Sequence, residues 1–92
     1  MFYVLLYDYV EDMPTKRGPY REQHLALAHR FHQQGHLLMA GAWNDPVDGA
    51  ALVFRTEDSE VIREFVASDP DIQNGLVTRW RIREWNVVVG TS

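Results

Sequence analysis

The stretch Met1–Tyr9, MFYVLLYDY, decides how the chain is read. Phe2, Val4 and Leu6 alternate with Tyr3, Leu5 and Tyr7, so a strand built from them is apolar on both faces. A strand covered on both sides fits that pattern best. The stretch has no basic lead and no small-residue cleavage site, so it reads as a strand and not as a signal peptide.

Outward from it, residues 9–18 (YVEDMPTKRG) are polar, hold Pro14 and Gly18, and read as a loop. A helix is expected from Pro19 to Gln34. Proline suits a first turn whose N–H has no intrahelical acceptor, and Gly35 supplies a left-handed stop. HLLMAG (36–41) gives a second strand. Gly41, Asn44, Asp45, Pro46, Asp48 and Gly49 then break the chain on its way to a third strand, ALVFR (51–55). Thr56, Asp58 and Ser59 offer caps for a helix over 59–67, in which Val61, Ile62, Phe65 and Val66 recur at helical spacing. A polar bridge runs from Pro70 to Gly75. Residues 76–89 (LVTRWRIREWNVVV) read as one long strand or two short ones, the apolar VVVG at 87–90 forming a tail strand.

This order, β-α-β-β-α-β plus a tail strand, predicts one α+β, ferredoxin-like domain over residues 1–92 with both helices on one face of an antiparallel sheet. The uncovered face is expected to meet its own copy, giving a homodimer closed sheet against sheet. An edge strand with a few exposed aromatics is the alternative.

Composition narrows the function classes. With 46% hydrophobic and 24% charged residues, the chain is not of the disordered type. It has no cysteine, which excludes a disulfide, a thiolate nucleophile and a cysteine-held metal. Thirteen acidic against nine basic residues leave a net charge of -4, a poor match for nucleic acid. No apolar run approaches the roughly 20 residues of a membrane span. The expectation is a soluble, cytoplasmic protein without nucleic-acid or membrane partners.

In the first helix, positions 24, 27, 28 and 31 share a side, so His24 stands in a stripe otherwise made of Leu27, Ala28 and Phe31. Two readings remain open. It is either a core histidine hydrogen-bonded to backbone or a general acid–base group in a pocket between helix and sheet. The spacing of HLALAH puts His24 and His29 on different helix faces, and no metal site is nominated. No glycine-rich phosphate loop is present. Arg79, Arg81 and Arg83 fall on one strand face and read as a solvated or interfacial surface paired to acids. Tyr3, Tyr7 and Tyr20 suit hydrogen bonds to a small ligand as well as ordinary packing.

Several segments carry a resemblance: YVLLYDY (3–9), Arg21 and His24 opening the first helix, GHLLMAG (35–41), the DG turn at 48–49, and SDP (68–70) before Gly75. In that order and spacing the chain resembles the YciI-like, YCII-related family over nearly its whole length. The resemblance implies a ferredoxin-like fold of the dimeric alpha–beta barrel type, a homodimer, and a histidine–aspartate active-site pair that falls on His24 and Asp69. It also carries Pro70 as the residue after the acid, Gly41 and Gly75 as glycines near the cleft and, more loosely, Arg21 as a basic residue ahead of the histidine. Two departures stand out. Asp71 occupies a position where an aromatic is common, which puts the pocket wall that the aromatic would form in question and adds a negative charge beside the acid. The turn GAWNDPVDG replaces a GP opening, with Trp43 expected to line the cleft.

One branch of the family resembles enzymes that remove chloride from chlorinated aromatic breakdown products. In that chemistry His24 would serve as base, Asp69 would set its tautomer and basicity, and Arg21 or a tyrosine such as Tyr7 would meet the anion. The expected function is a cofactor-independent enzyme, lyase or hydrolase-like, acting by proton transfer on a small anionic or aromatic metabolite. The competing expectations are a non-catalytic small-ligand-binding or interaction module and a structural homodimer. Whether His24 rests as a base or an acid stays open at this level.

Overall fold

The computed structural model describes residues 1–90. Strand β1 (Phe2–Tyr9) lies inside the sheet, antiparallel to β3 (Gly49–Arg55) on one side and to β4 (Val77–Trp85) on the other. Strand β2 (Leu37–Ala42) pairs with the far edge of β3, giving the order β2-β3-β1-β4. Side chains directly opposite each other in a ladder share a face. Leu5 therefore aligns with Leu52 and Ile82, and Tyr7 with Ala50 and Trp80, on the face that the helices cover.

The two main helices, α2 (Arg21–Gln33) and α3 (Glu60–Ser68), supply the other half of the core. Leu27 and Phe31 come from α2, and Ile62, Phe65 and Val66 from α3, at the spacing of an amphipathic stripe. Phe65 meets Phe31 and Phe54 edge to face, with ring centroids 5.2 and 5.5 Å away. Helix α2 stops where Gly35 adopts φ +84°, and the His36 amide returns to the Phe31 carbonyl at 3.0 Å.

The α+β, ferredoxin-like order is present, but three expectations are corrected. First, the sheet is not of barrel type. It is an open sheet of four strands whose outer members, β2 and β4, are separated by β3 and β1 and do not pair. Second, no tail strand forms among the described residues. Trp85 lies opposite Phe2, where β1 begins, so residues 86–90 have no strand partner on that side, and Val88 and Val89 stand 82% and 85% exposed. Third, both segments read as polar linkers contain a helical turn. Met13, 1% exposed, anchors α1 (Met13–Lys16), and Pro14 fits its first turn. A 3-10 turn (Gly18–Tyr20) then takes the place of the first residues expected in α2. The second helical linker, α4 (Pro70–Gln73), belongs to the site described below.

The open sheet face carries Phe2, Val4 and Leu6 beside Ala51, Val53 and Arg55 of β3 and Arg79, Arg81 and Arg83 of β4. Asp8 stands opposite Arg79, yet among the described residues none of the three β4 arginines makes an ion pair, so their expected pairing to acids is not found.

Of the glycines, Gly49 is the one whose added side chain would meet close neighbours. A Cβ there would fall 2.6 Å from the Tyr7 carbonyl oxygen and 2.8 Å from Nε1 of Trp43. The first of these neighbours is backbone and cannot rotate away. Gly49→Ala is expected to destabilise the protein by about 1–3 kcal/mol, as overpacking does. Gly41→Ala, with nothing within 4 Å of the added carbon, is expected to leave stability nearly unchanged. Urea unfolding of the two variants checks both.

Candidate active site

Helix α3 ends because Asp69 turns extended (φ -75°, ψ 117°) ahead of a proline. The same residue opens α4. Its Oδ1 accepts the Asp71 amide at 3.0 Å, and Pro70 occupies the first turn, where a missing N–H costs nothing. Gly75 closes the turn at φ +73°, and the Leu76 amide bonds back to the Asp71 carbonyl at 2.9 Å. Asp69 and Asp71 are thereby held by local backbone geometry, at 0% and 1% exposure.

The Asp69 carboxylate receives two further donors. Tyr7 Oη donates to its Oδ2 at 2.7 Å, and His24 Nδ1 lies 2.8 Å from its Oδ1. A donor contact to that acceptor-only oxygen fixes the histidine tautomer, with the proton on Nδ1. Asp71 Oδ2 approaches the same nitrogen at 3.4 Å, while Asp71 Oδ1 has no hydrogen-bond partner. Among the described residues His24 Nε2 has none either, and the ring lines a cavity.

Burial works against a charged His24. The hydrogen bond to Asp69 and the charges of Asp69 and Asp71 outweigh it, and the imidazole is raised above its ordinary value of 6.5. Burial likewise raises Asp71 above 3.8, with the Asp69 charge adding to it and His24 opposing. The neighbouring phenols stay protonated. Burial and the adjoining carboxylates push Tyr9 up to about 12 and Tyr7 further still.

His24, Asp69 and Asp71 are also the ligand types of a metal site, their nearest atoms lying within 4.8 Å of one another. The His24–Asp69 separation of 2.8 Å argues for a proton instead. Ligands bonded to a tetrahedral zinc at about 2.0 Å stand about 3.3 Å apart.

The cavity lies between α2 and the β2–β3 half of the sheet and measures ≈ 220 Å³. Leu25, Ala28, Leu37 and Leu52 give it apolar walls, and His24, Arg21 and Tyr9 add polar groups. The i, i+4 ridge His24–Ala28–His32 runs along it, and His32 Nδ1 donates to the Leu37 carbonyl at 2.6 Å.

Of the residues singled out in the sequence, the fold joins His24, Asp69 and Tyr7 in one hydrogen-bonded chain. Arg21 and Gly41 line the cavity. Pro70 and Gly75 shape the turn that presents the acids. Trp43 is not on the cavity wall. It is half exposed and stands against Gly49 at the β2–β3 turn, its amide bonded to the Gly49 carbonyl. Asp71 is not on the cavity wall, and its carboxylate is buried beside His24. Tyr9 escaped the sequence reading, although strict alternation from Tyr7 places it on the same face.

A buried carboxylate–imidazole pair beside a small cavity, on a ferredoxin-like sheet, defines the class. The sequence matches the YCII-related domain over residues 1–86, and the chain belongs to that family. No curated protein sequence matches it. Among solved structures it is similar to 5-chloro-2-hydroxyhydroquinone dehydrochlorinase of Burkholderia phenoliruptrix AC1100 in complex with 2,5-dihydroxybenzoquinone. The TM-score is 0.78 and the identity 18%, over 94% of each chain. At that identity the likeness speaks for the fold.

The protonation of the cluster has a consequence for stability. A histidine raised on folding contributes fully below its unfolded value, and that contribution is lost as pH rises through the higher folded one. A raised Asp71 acts in the same sense from its own lower starting value. The melting temperature by circular dichroism is therefore expected to fall as pH rises above 6.5, and His24→Gln is expected to flatten that slope.

Proposed function

We propose that the protein is an acid–base enzyme that moves a proton on a small anionic or aromatic metabolite through His24, with Asp69 as its orienting carboxylate. One observation carries this reading: Nδ1 of His24 is tied to Asp69 at 2.8 Å while the ring borders a cavity. A proton-transfer group needs a fixed tautomer and one free nitrogen facing the substrate. The space suits a single substituted ring, since a cavity of about 150 Å³ accommodates benzene. Arg21 and Tyr9 would receive an anionic or hydroxyl substituent, and the apolar walls would hold the ring face.

The reaction class is lyase-like or hydrolase-like, and the chain's own part in it needs no group beyond the imidazole. The similar dehydrochlorinase supports choosing chlorinated hydroxyhydroquinones as first probes. The apolar lining also suits a module that binds without turnover. Chloride release and ligand binding, measured on folded His24→Ala and Asp69→Asn, separate the two. Loss of turnover by roughly 10²–10⁴-fold with binding retained is expected. Binding without turnover in the unaltered protein overturns the enzyme reading.

We also propose that the open sheet face pairs with a second copy. Phe2, Val4, Leu6, Ala51 and Val53 form an apolar strip that no helix of the chain covers. Light scattering at micromolar concentration is expected to give twice the chain mass of 10.7 kDa, and a monomer removes the proposal.

A further inference from the structure

The second aspartate has no role in a histidine–aspartate pair. Asp71 is 1% exposed, its Oδ2 lies 3.4 Å from the nitrogen that Asp69 already engages, and its Oδ1 has no partner among the described residues. Two carboxylates and a singly protonated imidazole would place a double negative charge in a buried cluster. Among the described residues its donors there are the Tyr7 hydroxyl, the Asp71 amide and Nδ1–H. Burying charge without compensation is costly, so an additional proton belongs in this cluster.

The geometry decides where that proton resides. On Asp71 Oδ1 it would be an O–H donor with no protein acceptor. On Asp71 Oδ2 it would face Nδ1, whose own hydrogen is committed to Asp69. Nε2 is the remaining nitrogen of a ring that lines the cavity, and a proton there makes an imidazolium whose Nδ1 side meets both carboxylates, at 2.8 and 3.4 Å.

We propose that Asp71 is a positioning residue that keeps His24 doubly protonated in the resting protein, so that the cavity meets a proton donor at Nε2. This rests on the reading of His24 as the proton-transfer group, and it answers whether that group starts as acid or base. In the first step the Nε2–H bond breaks, and the proton passes to a basic carbon or oxygen of the substrate. The bonding pair stays on Nε2, leaving a neutral imidazole whose Nδ1–H still meets Asp69. Solvent at the cavity restores the proton.

The charged and titratable groups around His24 come from every element packed on it: Asp69 and Asp71 at α4, Tyr7 and Tyr9 of β1, Arg21 of α2, and Arg17 ahead of it. Arg21 opposes a second positive charge on His24, the carboxylates favour it, Arg17 acts on Tyr9 and Asp71, and the phenols remain neutral. The carboxylates are nearest.

Nitrogen-detected NMR of the ¹⁵N-histidine-labelled protein reads the ring directly, without reference to turnover. The unaltered protein is expected to show both His24 nitrogens protonated at pH 7, with a titration midpoint above that of an ordinary histidine. Asp71→Asn, checked for folding by circular dichroism, is expected to move the midpoint to lower pH while the Asp69 contact persists. A neutral His24 at pH 7 in the unaltered protein overturns the proposal, and so does a midpoint unmoved in folded Asp71→Asn. If the rings are doubly protonated but no ring compound turns over, the enzyme reading fails while the assignment of the proton stands.

Discussion

A single carboxylate with no solvent contact ties this molecule together. Asp69 receives a phenol from the first strand, an imidazole from the long helix and a backbone amide from its own turn. An uncompensated charge at that depth would cost several kcal/mol, so the three donors are a condition of the fold as much as of the site. They also couple elements far apart in sequence. Tyr7 lies 62 positions from Asp69 and His24 lies 45, so the cluster exists only when β1, α2 and α4 have docked together.

The same constraint explains why the acid follows the third helix and precedes a proline. An aspartate inside a helix would direct its carboxylate outward or back onto its own carbonyls. At the junction of α3 and α4 its backbone is extended, its oxygen caps the next turn, and Pro70 limits the ways the chain can leave. The short α4 is too brief to be stable alone and depends on this cap and on the burial of Pro70 and Asp71. Structure and chemistry therefore use the same atoms, and a substitution at Asp69 acts on both.

Much of this was legible in the sequence for reasons that can be named. The alternating apolar pattern of Met1–Tyr9 identified a strand, although only one of the two faces expected to be covered is packed by the helices, and the 24–27–31 stripe placed His24 on the buried side of its helix. The partner was not legible from periodicity, because contact between positions 24 and 69 is set by helix docking; only the family resemblance proposed it. The helical turns at Met13 and Pro70 were hidden by polar composition, being fixed by one buried methionine and one side-chain cap instead of an apolar stripe. The tail VVVG looked strand-like, but a strand needs a ladder partner and β1 had already begun opposite Trp85. The barrel expectation failed on connectivity, since β2 and β4 occupy opposite edges. Asp71 was visible as an added charge, but not the inward direction of its side chain.

The edge strand β2 contributes Ala40, Gly41 and Ala42 to the cavity, and the imidazole that lines it comes from α2 backed by α4. The titratable cluster and the far wall of the cavity thus reside on different parts of the chain, facing each other across the space between them. Enlarging a β2 residue would reshape what the cavity admits without disturbing the buried acids, and a longer side chain there meets open room at Gly41. A lineage built on this scaffold can change what the cavity admits by drift along one exposed strand while the buried histidine–aspartate cluster is inherited unchanged.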